Sequence, residues 1–209
     1  MFDFFIFLLT FDVFLILPKA ENYSFIINIE TVMAKEIKDR TGVVTFGTMP
    51  VTLLGETVHV GDTAQEFTLV DKGLQSVSLS DFKGKTVILS IFPSIDTGVC
   101  AAQTRRFNKE ATDLSENVVI LGISKDLPFA LGRFCAAEGI DRVITLSDYM
   151  YDEFGYDYGF LIEENRLLAR GVVVINPEGK VVYVEYTPNV TSEPDYKKAL
   201  KAVKATLKS

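Results

Sequence analysis

The segment Pro93–Cys100, with the sequence Pro-Ser-Ile-Asp-Thr-Gly-Val-Cys, carries residue types that suit sulfur chemistry. A β-favouring run, Val87–Phe92, stops at Pro93 and a helical pattern follows, so Cys100 is predicted to lie in the first turn of a helix. Unpaired backbone N–H groups and the positive end of the helix dipole stabilise thiolate over thiol there, and thiolate is the reactive species. Thr97 can bring its hydroxyl to the sulfur or to an oxygen bound beside it, and Pro93 can wall off one side of the pocket.

The ordinary alternative for Cys100 is a buried, inert cysteine at a helix start. Its position after a central strand, at the carboxyl end of the sheet where α/β proteins place their sites, favours the reactive interpretation. The other cysteine, Cys135, lies near the end of a second predicted helix, a setting in which most cysteines are core residues. Two cysteines and one histidine, His59, argue against a structural zinc site and a multi-bridge framework, but they can make one disulfide.

The elements that must position these residues form one α/β domain with a mixed sheet. Strands are predicted at Gly42–Phe46, Val51–Leu54, Val58–Val60, Phe67–Val70, Val87–Phe92, Val118–Ser124, Val143–Leu146, Val172–Ile175 and Val181–Glu185. The first two form a hairpin that Val58–Val60 extends, and the last two form another. Helices are predicted at Cys100–Leu114, Pro128–Glu138 and Asp195–Leu207. Asp126 is expected to cap the second helix, and Gly139 is expected to end it.

Composition narrows the class of protein. The 209 residues suit one domain of ordinary size. The net charge of −7 and the lack of a Lys/Arg-rich block argue against nucleic-acid binding, because neutralising phosphates needs a basic surface. His59, Arg105 and Arg106 are interpreted as surface residues. The aromatic residues between 149 and 160 are interpreted as core or dimer surface.

Residues 1–32 differ from the rest of the chain. The apolar run Phe2–Leu17 suggests a signal peptide or a membrane span, but the acids Asp3 and Asp12 and the early end at Pro18 argue against both. A third interpretation is that translation starts at Met33 and that these 32 residues are upstream sequence. A genuine targeting or anchoring extension stays open as the alternative, and no stable membrane insertion is expected.

The pattern Pro93-x-x-x-Thr97-x-x-Cys100 resembles the active-site signature of the peroxiredoxins, and the longer run Ile91–Ala101 is similar to their thiol peroxidase subfamily. Three further segments share the resemblance: Ser124–Cys135, Ala169–Ile175 and Thr191–Tyr196. The similarity spans Met33 to the C-terminus and does not include residues 1–32. We therefore expect a domain of residues 33–209 that follows a hydrophobic extension outside the fold.

This resemblance implies a thioredoxin-like fold and a role for each matching residue. Cys100 would be the peroxidatic cysteine, and Cys135 the resolving cysteine that forms an intramolecular disulfide with it. Thr97 and Arg170 would activate Cys100 and position the peroxide, because a guanidinium adds a permanent positive charge and donates hydrogen bonds. Pro93 would shield the substrate pocket.

The implied activity is reduction of hydrogen peroxide and organic hydroperoxides, with thioredoxin as reductant, in antioxidant defence. The resemblance implies no metal, haem, flavin or other cofactor, and it implies a homodimer. A cytoplasmic location is expected, with export or membrane anchoring as the alternative if residues 1–32 are a targeting segment.

Two other functions remain open at this stage. One is a thiol-based redox sensor or relay that uses the same cysteine pair. The other is a non-catalytic protein with a structural disulfide, anchored to a membrane by residues 1–17. A thioredoxin-type disulfide reductase is disfavoured, because Cys100 is followed by Ala-Ala-Gln rather than by a second cysteine three positions on.

Overall fold

The computed structural model describes residues 39–207, so the predictions for residues 1–32 lie outside the described residues. Numbered in chain order, the strands are β1 (Arg40–Phe46), β2 (Met49–Leu54), β3 (Thr68–Asp71), β4 (Ser76–Ser78), β5 (Thr86–Ile91), β6 (Val118–Ser124), β7 (Val143–Ser147), β8 (Leu161–Ile162), β9 (Gly171–Ile175) and β10 (Val181–Tyr186). The helices are α1 (Gly98–Ala111), α2 (Pro128–Glu138), α3 (Phe154–Asp157) and α4 (Tyr196–Thr206), with a short 3₁₀ helix at Leu79–Phe82.

Seven strands form a mixed sheet in the order β10-β9-β5-β6-β7-β3-β4. β5, β6 and β7 run parallel because α1 and α2 carry the chain back between them, whereas β9 pairs antiparallel with both β5 and β10. All six residues of β5 are buried, as expected for a central strand covered on both faces. The predicted α/β architecture with a mixed sheet is confirmed.

Alternation along each strand separates two apolar layers. On one face, Ile88 of β5 belongs to a cluster with Phe107 of α1 and Val203 of α4. On the other face, Leu89 belongs to a cluster with Leu53 of the β1–β2 hairpin. The carboxyl ends of β5 and β6 therefore meet at the edge where α1 and α2 begin, and this edge carries Cys100.

The predicted N-terminal hairpin is confirmed: β1 and β2 pair antiparallel, and β8 joins β2. Its predicted extension at Val58–Val60 is wrong, because these residues form no strand. The N–H of Val58 donates instead to the Tyr186 hydroxyl at 3.0 Å, and the N–H of His59 donates to the Asp62 carboxylate at 2.8 Å. Side-chain oxygens therefore accept the hydrogen bonds that these backbone N–H groups would have to donate to a neighbouring strand.

The helix α2 has the predicted bounds and ends at Gly139, whose φ of 64° is the left-handed conformation that glycine favours. The predicted cap is wrong. Leu127 is the N-cap residue, and no side chain caps the helix. The Asp126 carboxylate is occupied elsewhere, because it accepts hydrogen bonds from Ser94, Ile95 and Ser124.

The aromatic segment near residues 149–160 contains the short elements that periodicity did not predict, α3 and β8. Phe154, Tyr158 and Phe160 are fully buried, and Phe67 packs edge-on against the first two rings. The interpretation of this segment as core is therefore confirmed for these three residues. Among residues 39–207, no helix combines the length and the apolar character needed to cross a membrane.

Candidate active site

Cys100 lies in the first turn of α1, two residues after the helix begins at Gly98. Its side chain is fully buried and packs with Phe92, Ile95 and Leu131. The segment between β5 and α1, residues 92–97, is called the Cys100 loop below. The first turn of a helix, where Cys100 lies, has unpaired N–H groups that stabilise a negative charge.

Thr97 is the N-cap residue of α1, yet its side chain makes no cap hydrogen bond to the helix. Its hydroxyl oxygen instead lies 2.8 Å from the Cys100 Sγ and 3.1 Å from the carbonyl oxygen of Ser94. A hydroxyl has one proton to donate and can also accept. With a thiol at Cys100 the proton can go to the Ser94 carbonyl, and with a thiolate it can go to sulfur.

Arg170 immediately precedes β9, and its side chain contacts the Cys100 sulfur. Its Nη2 donates to the Cys100 Sγ at 3.2 Å, its Nη1 to Gln103 Oε1 at 2.6 Å, and its Nε to the carbonyl oxygen of Val190 at 2.7 Å. The residue is 1% exposed. Within residues 39–207, no carboxylate forms a hydrogen bond or ion pair with this guanidinium. Its positive charge therefore lies beside the sulfur with little solvent contact, an arrangement that favours a negative charge on sulfur.

Gln103, which the sequence analysis missed, fixes the orientation of this guanidinium. It is fully buried one turn after Cys100, and its Nε2 donates to the Ser90 hydroxyl at 2.9 Å and to the carbonyl oxygen of Ile91 at 3.3 Å. The amide is thereby locked with its oxygen toward Arg170. The sequence does contain a signal for this role, because a glutamine on the apolar face of the helix is expected to be buried. A buried amide needs hydrogen-bond partners, which indicates a polar contact at this position.

The N-terminal hairpin supports the third bond of Arg170. The Val190 N–H donates to the carbonyl oxygen of Thr45 at 2.8 Å, and the amide group of Asn189 exchanges two hydrogen bonds with the backbone of Gly47. These contacts hold the Val190 carbonyl in front of the guanidinium. The hairpin thus positions a residue that is far from it in sequence.

Pro93 and Cys135 differ in how close they come to this site. Pro93 is buried in the Cys100 loop, two residues after the end of β5. Cys135 lies in the last turn of α2, 7% exposed, and belongs to the separate cluster that contains Ile88, with its sulfur 3.4 Å from the Thr145 hydroxyl. Both cysteines are free thiols. The structure thus brings Thr97 and Arg170 to Cys100, but it does not bring Cys135 there.

The remaining candidates lie on the surface. Arg105 pairs with Glu138 and Arg106 pairs with Glu110, and both guanidinium side chains are about half exposed. His59 is exposed beside Asp62. No group of three or more His, Cys, Asp or Glu side chains in the described part of the chain is arranged to hold a metal ion.

A sulfur at a helix start that receives a hydroxyl and a guanidinium, on a sheet with this strand order, defines a thiol-dependent redox protein of the thioredoxin-like class. A family model described as Redoxin matches residues 59–200, a range that includes Pro93, Thr97, Cys100, Cys135 and Arg170. The thiol peroxidase of Oceanobacillus iheyensis is 57% identical over 157 residues, which cover 75% of this chain and 95% of that protein. The thiol peroxidase of Bacillus subtilis is 53% identical over 165 residues, covering 79% and 98%.

Solved structures agree with this assignment. A peroxiredoxin-like protein from Aquifex aeolicus superposes with a TM-score of 0.75 at 39% identity, covering 80% of this chain and 97% of that one. A thiol peroxidase from Chromobacterium violaceum superposes with a TM-score of 0.71 at 21% identity, covering 79% and 97%, and supports the fold alone. The chain belongs to the thiol peroxidase subfamily of the peroxiredoxins, within the Redoxin family, and is a peroxidase. The predicted thioredoxin-like fold and enzyme class are confirmed, and the non-catalytic alternative is wrong.

Proposed function

We propose that the protein reduces hydrogen peroxide and organic hydroperoxides through Cys100, with electrons drawn from thioredoxin. The observation that carries the proposal is the convergence of Thr97 Oγ1 and Arg170 Nη2 on the fully buried Cys100 sulfur, at 2.8 and 3.2 Å, in the first turn of α1. Two donors aimed at one sulfur favour the thiolate. The same donors can hold the two oxygens of a peroxide in line with it.

In the first step, the Cys100 thiolate attacks the terminal oxygen of the hydroperoxide. A sulfur–oxygen bond forms and the oxygen–oxygen bond breaks, so that Cys100 becomes a sulfenic acid and the departing alkoxide or hydroxide takes a proton from solvent. Arg170 stabilises the negative charge that develops on the departing oxygen. We assign the shielding of the sulfur on one side to Pro93, which is buried in the Cys100 loop.

In the second step, the Cys135 thiolate attacks the sulfur of the sulfenic acid. A disulfide forms within the chain, and the hydroxyl leaves as water after protonation. The two sulfurs belong to different apolar clusters, so the Cys100 loop and the end of α2 must open locally before they meet. Thioredoxin then reduces the disulfide by thiol exchange and regenerates both thiols.

Further expectations belong to this proposal. The working domain spans residues 33–209 and acts as a homodimer. A reducing compartment such as the cytoplasm suits a cycle in which the disulfide is transient. Antioxidant defence is the physiological role.

The test is multiple turnover of the full-length chain with thioredoxin, thioredoxin reductase and NADPH, using hydrogen peroxide and cumene hydroperoxide. We expect Cys100→Ser to be inactive. We expect Cys135→Ser to be oxidised at the wild-type rate but to accumulate sulfenic and sulfinic acid instead of a disulfide. Wild-type protein that forms the disulfide once and is not recycled by thioredoxin would favour the sensor interpretation. An active Cys100→Ser variant would overturn the catalytic assignment.

A further inference from the structure

We propose that Asp126 is a positioning residue that holds the Cys100 loop in its peroxide-reactive conformation and must release it before Cys135 can reach Cys100. This inference rests on the proposed function. It assigns to the start of α2 a control over both half-reactions at Cys100.

The Asp126 carboxylate bridges two segments that are separate in sequence. Its Oδ1 accepts a hydrogen bond from the Ser94 hydroxyl at 2.7 Å, and its Oδ2 accepts one from the Ile95 N–H at 2.7 Å. Both donors belong to the Cys100 loop. A third donor, the Ser124 hydroxyl, reaches Oδ2 at 2.7 Å but belongs to β6 and does not touch the loop.

A chain of contacts connects Asp126, through the Cys100 loop, to the reacting sulfur. The Ser94 carbonyl oxygen receives the Thr97 N–H at 3.2 Å and lies 3.1 Å from the Thr97 hydroxyl, which in turn contacts the Cys100 Sγ. Ile95, held through its N–H, packs in the same cluster as Cys100. A shift of Ser94 therefore misplaces the Thr97 hydroxyl, so Asp126 acts on Cys100 through these residues and not by contact.

At its other end, Asp126 is fixed to the framework that carries Cys135. Its backbone carbonyl accepts a hydrogen bond from the Ser147 hydroxyl at the end of β7, and its own N–H donates to the Ser124 hydroxyl at 3.2 Å. Two residues later the chain enters α2, which bears Cys135 in its last turn. The loop of one cysteine is thus pinned to the anchored start of the helix that bears the other.

This arrangement predicts opposite effects on the two half-reactions. Weakening the bridge misplaces Thr97 and slows oxidation of Cys100, but it also lowers the cost of opening the loop and speeds disulfide formation. Less time as sulfenic acid means less exposure to a second peroxide, hence less sulfinic acid. Loss of one hydrogen bond to a charged group corresponds to a factor of roughly ten in such rates.

The serine hydroxyls provide a matched pair of variants. Ser94→Ala and Ser124→Ala each remove one hydroxyl donor from the same carboxylate, but only the first cuts a link to the loop. Asp126→Ala removes every side-chain link. Asp126→Asn keeps one acceptor oxygen, so its effect is expected to fall between those of wild type and Asp126→Ala.

Because the chain has no tryptophan, the two rates are best followed by rapid mixing with hydrogen peroxide, acid quench, alkylation and mass spectrometry of the full-length protein. We expect Ser94→Ala and Asp126→Ala to be oxidised about tenfold more slowly, to form the disulfide several-fold faster, and to give less sulfinic acid per turnover than wild type. Ser124→Ala also removes the acceptor of the Asp126 N–H, but it leaves both links to the Cys100 loop in place, so it should change both rates less than Ser94→Ala does.

Two outcomes would overturn the inference. One is equal changes in Ser94→Ala and Ser124→Ala, which would indicate a general loss of packing. The other is rates within twofold of wild type for Ser94→Ala, the variant least prone to unfold. Failure of wild-type protein itself to react with peroxide would instead refute the proposed function, so the two failures are distinguishable.

Discussion

Arg170→Met tests the site most directly, because it removes the charge beside Cys100 while retaining an unbranched apolar side chain. The native guanidinium donates one of its three hydrogen bonds to the Cys100 sulfur, at 3.2 Å, and Arg170 as a whole is 1% exposed. Removing one donor that stabilises developing charge in a buried site typically costs about 2.7–4 kcal/mol, a factor of roughly 10²–10³ in rate. We expect the second-order rate constant with hydrogen peroxide to fall by at least about 10²-fold.

The conservative variant separates charge from geometry. Arg170→Lys keeps a positive charge, but an ammonium group cannot present the planar fork that serves Gln103, Val190 and the sulfur together. Its rate should fall between those of wild type and Arg170→Met. Both variants leave buried acceptors without a donor, at about 1–3 kcal/mol each, so thermal unfolding must be recorded and rates measured well below the lower Tm.

The assay is competition for hydrogen peroxide against a reference peroxidase, with no reductant present, so that only oxidation of Cys100 is measured. Arg106→Met is the matched control, because it removes the same charge from the exposed surface of α1, where the guanidinium pairs with Glu110. Arg170→Met that stays folded and reacts within threefold of wild type would refute the reasoning. So would an equal loss in Arg106→Met, since that would indicate a long-range effect of net charge.

Three further changes test other parts of the fold and site. Thr97→Val should slow oxidation by about tenfold while Thr97→Ser retains most of the rate, and equal rates in the peroxide competition assay would contradict a role for the hydroxyl. Burial raises the pKa of Asp148 to about 6, so stability is lost as pH rises through that value. Between pH 7 and pH 5, the free energy of unfolding measured in urea should rise by about 1 kcal/mol more for wild type than for Asp148→Asn. If the unfolding free energies of the two proteins change with pH in the same way, the prediction is wrong. A Cβ at Gly171 would lie 2.1 Å from a backbone carbonyl oxygen of β10, so Gly171→Ala should lower the Tm by several degrees. Gly98→Ala, which places its Cβ in open space, should leave the Tm unchanged. Equal Tm values for the two variants would contradict this prediction, because they would mean that β9 and β10 move apart at little cost.

Local signals were sufficient to locate the candidate catalytic cysteine. The step from a buried β-run to a helix start predicts where Cys100 lies, and the spacing of Thr97 predicts that its hydroxyl reaches the sulfur. Arg170 came only from a resemblance, because its approach depends on β9 pairing with β5, a contact between distant segments. Gln103 was missed because periodicity shows that a polar residue lies on an apolar helix face, but it does not show which hydrogen-bond partners allow that residue to be buried.

The sequence interpretation failed where side chains form hydrogen bonds with partners outside their own local segment. Val58–Val60 has strand composition, yet the Tyr186 hydroxyl takes the Val58 N–H from across the fold. Asp126 has a capping residue's type and position, yet its carboxylate finds three donors in other segments. Both errors have one cause. A local sequence pattern considers only hydrogen-bond partners that are near in sequence, whereas the folded chain brings distant partners into better geometry.

Under the proposed mechanism, we expect the buried charge of Arg170 to favour a closed site for oxidation and an open site for resolution. A buried cation without a counterion costs several kcal/mol. Of the three acceptors that Arg170 contacts within residues 39–207, two are neutral oxygens, of Gln103 and Val190, and only the Cys100 sulfur can become an anion. Oxidation to a neutral sulfenic acid or a disulfide removes that anion and leaves the guanidinium uncompensated. The closed arrangement is therefore most stable in the state that must meet peroxide, and the product of the first step weakens it. We therefore expect loss of the thiolate charge to favour opening of the Cys100 loop, and the two hydrogen bonds from the loop to Asp126 to oppose it.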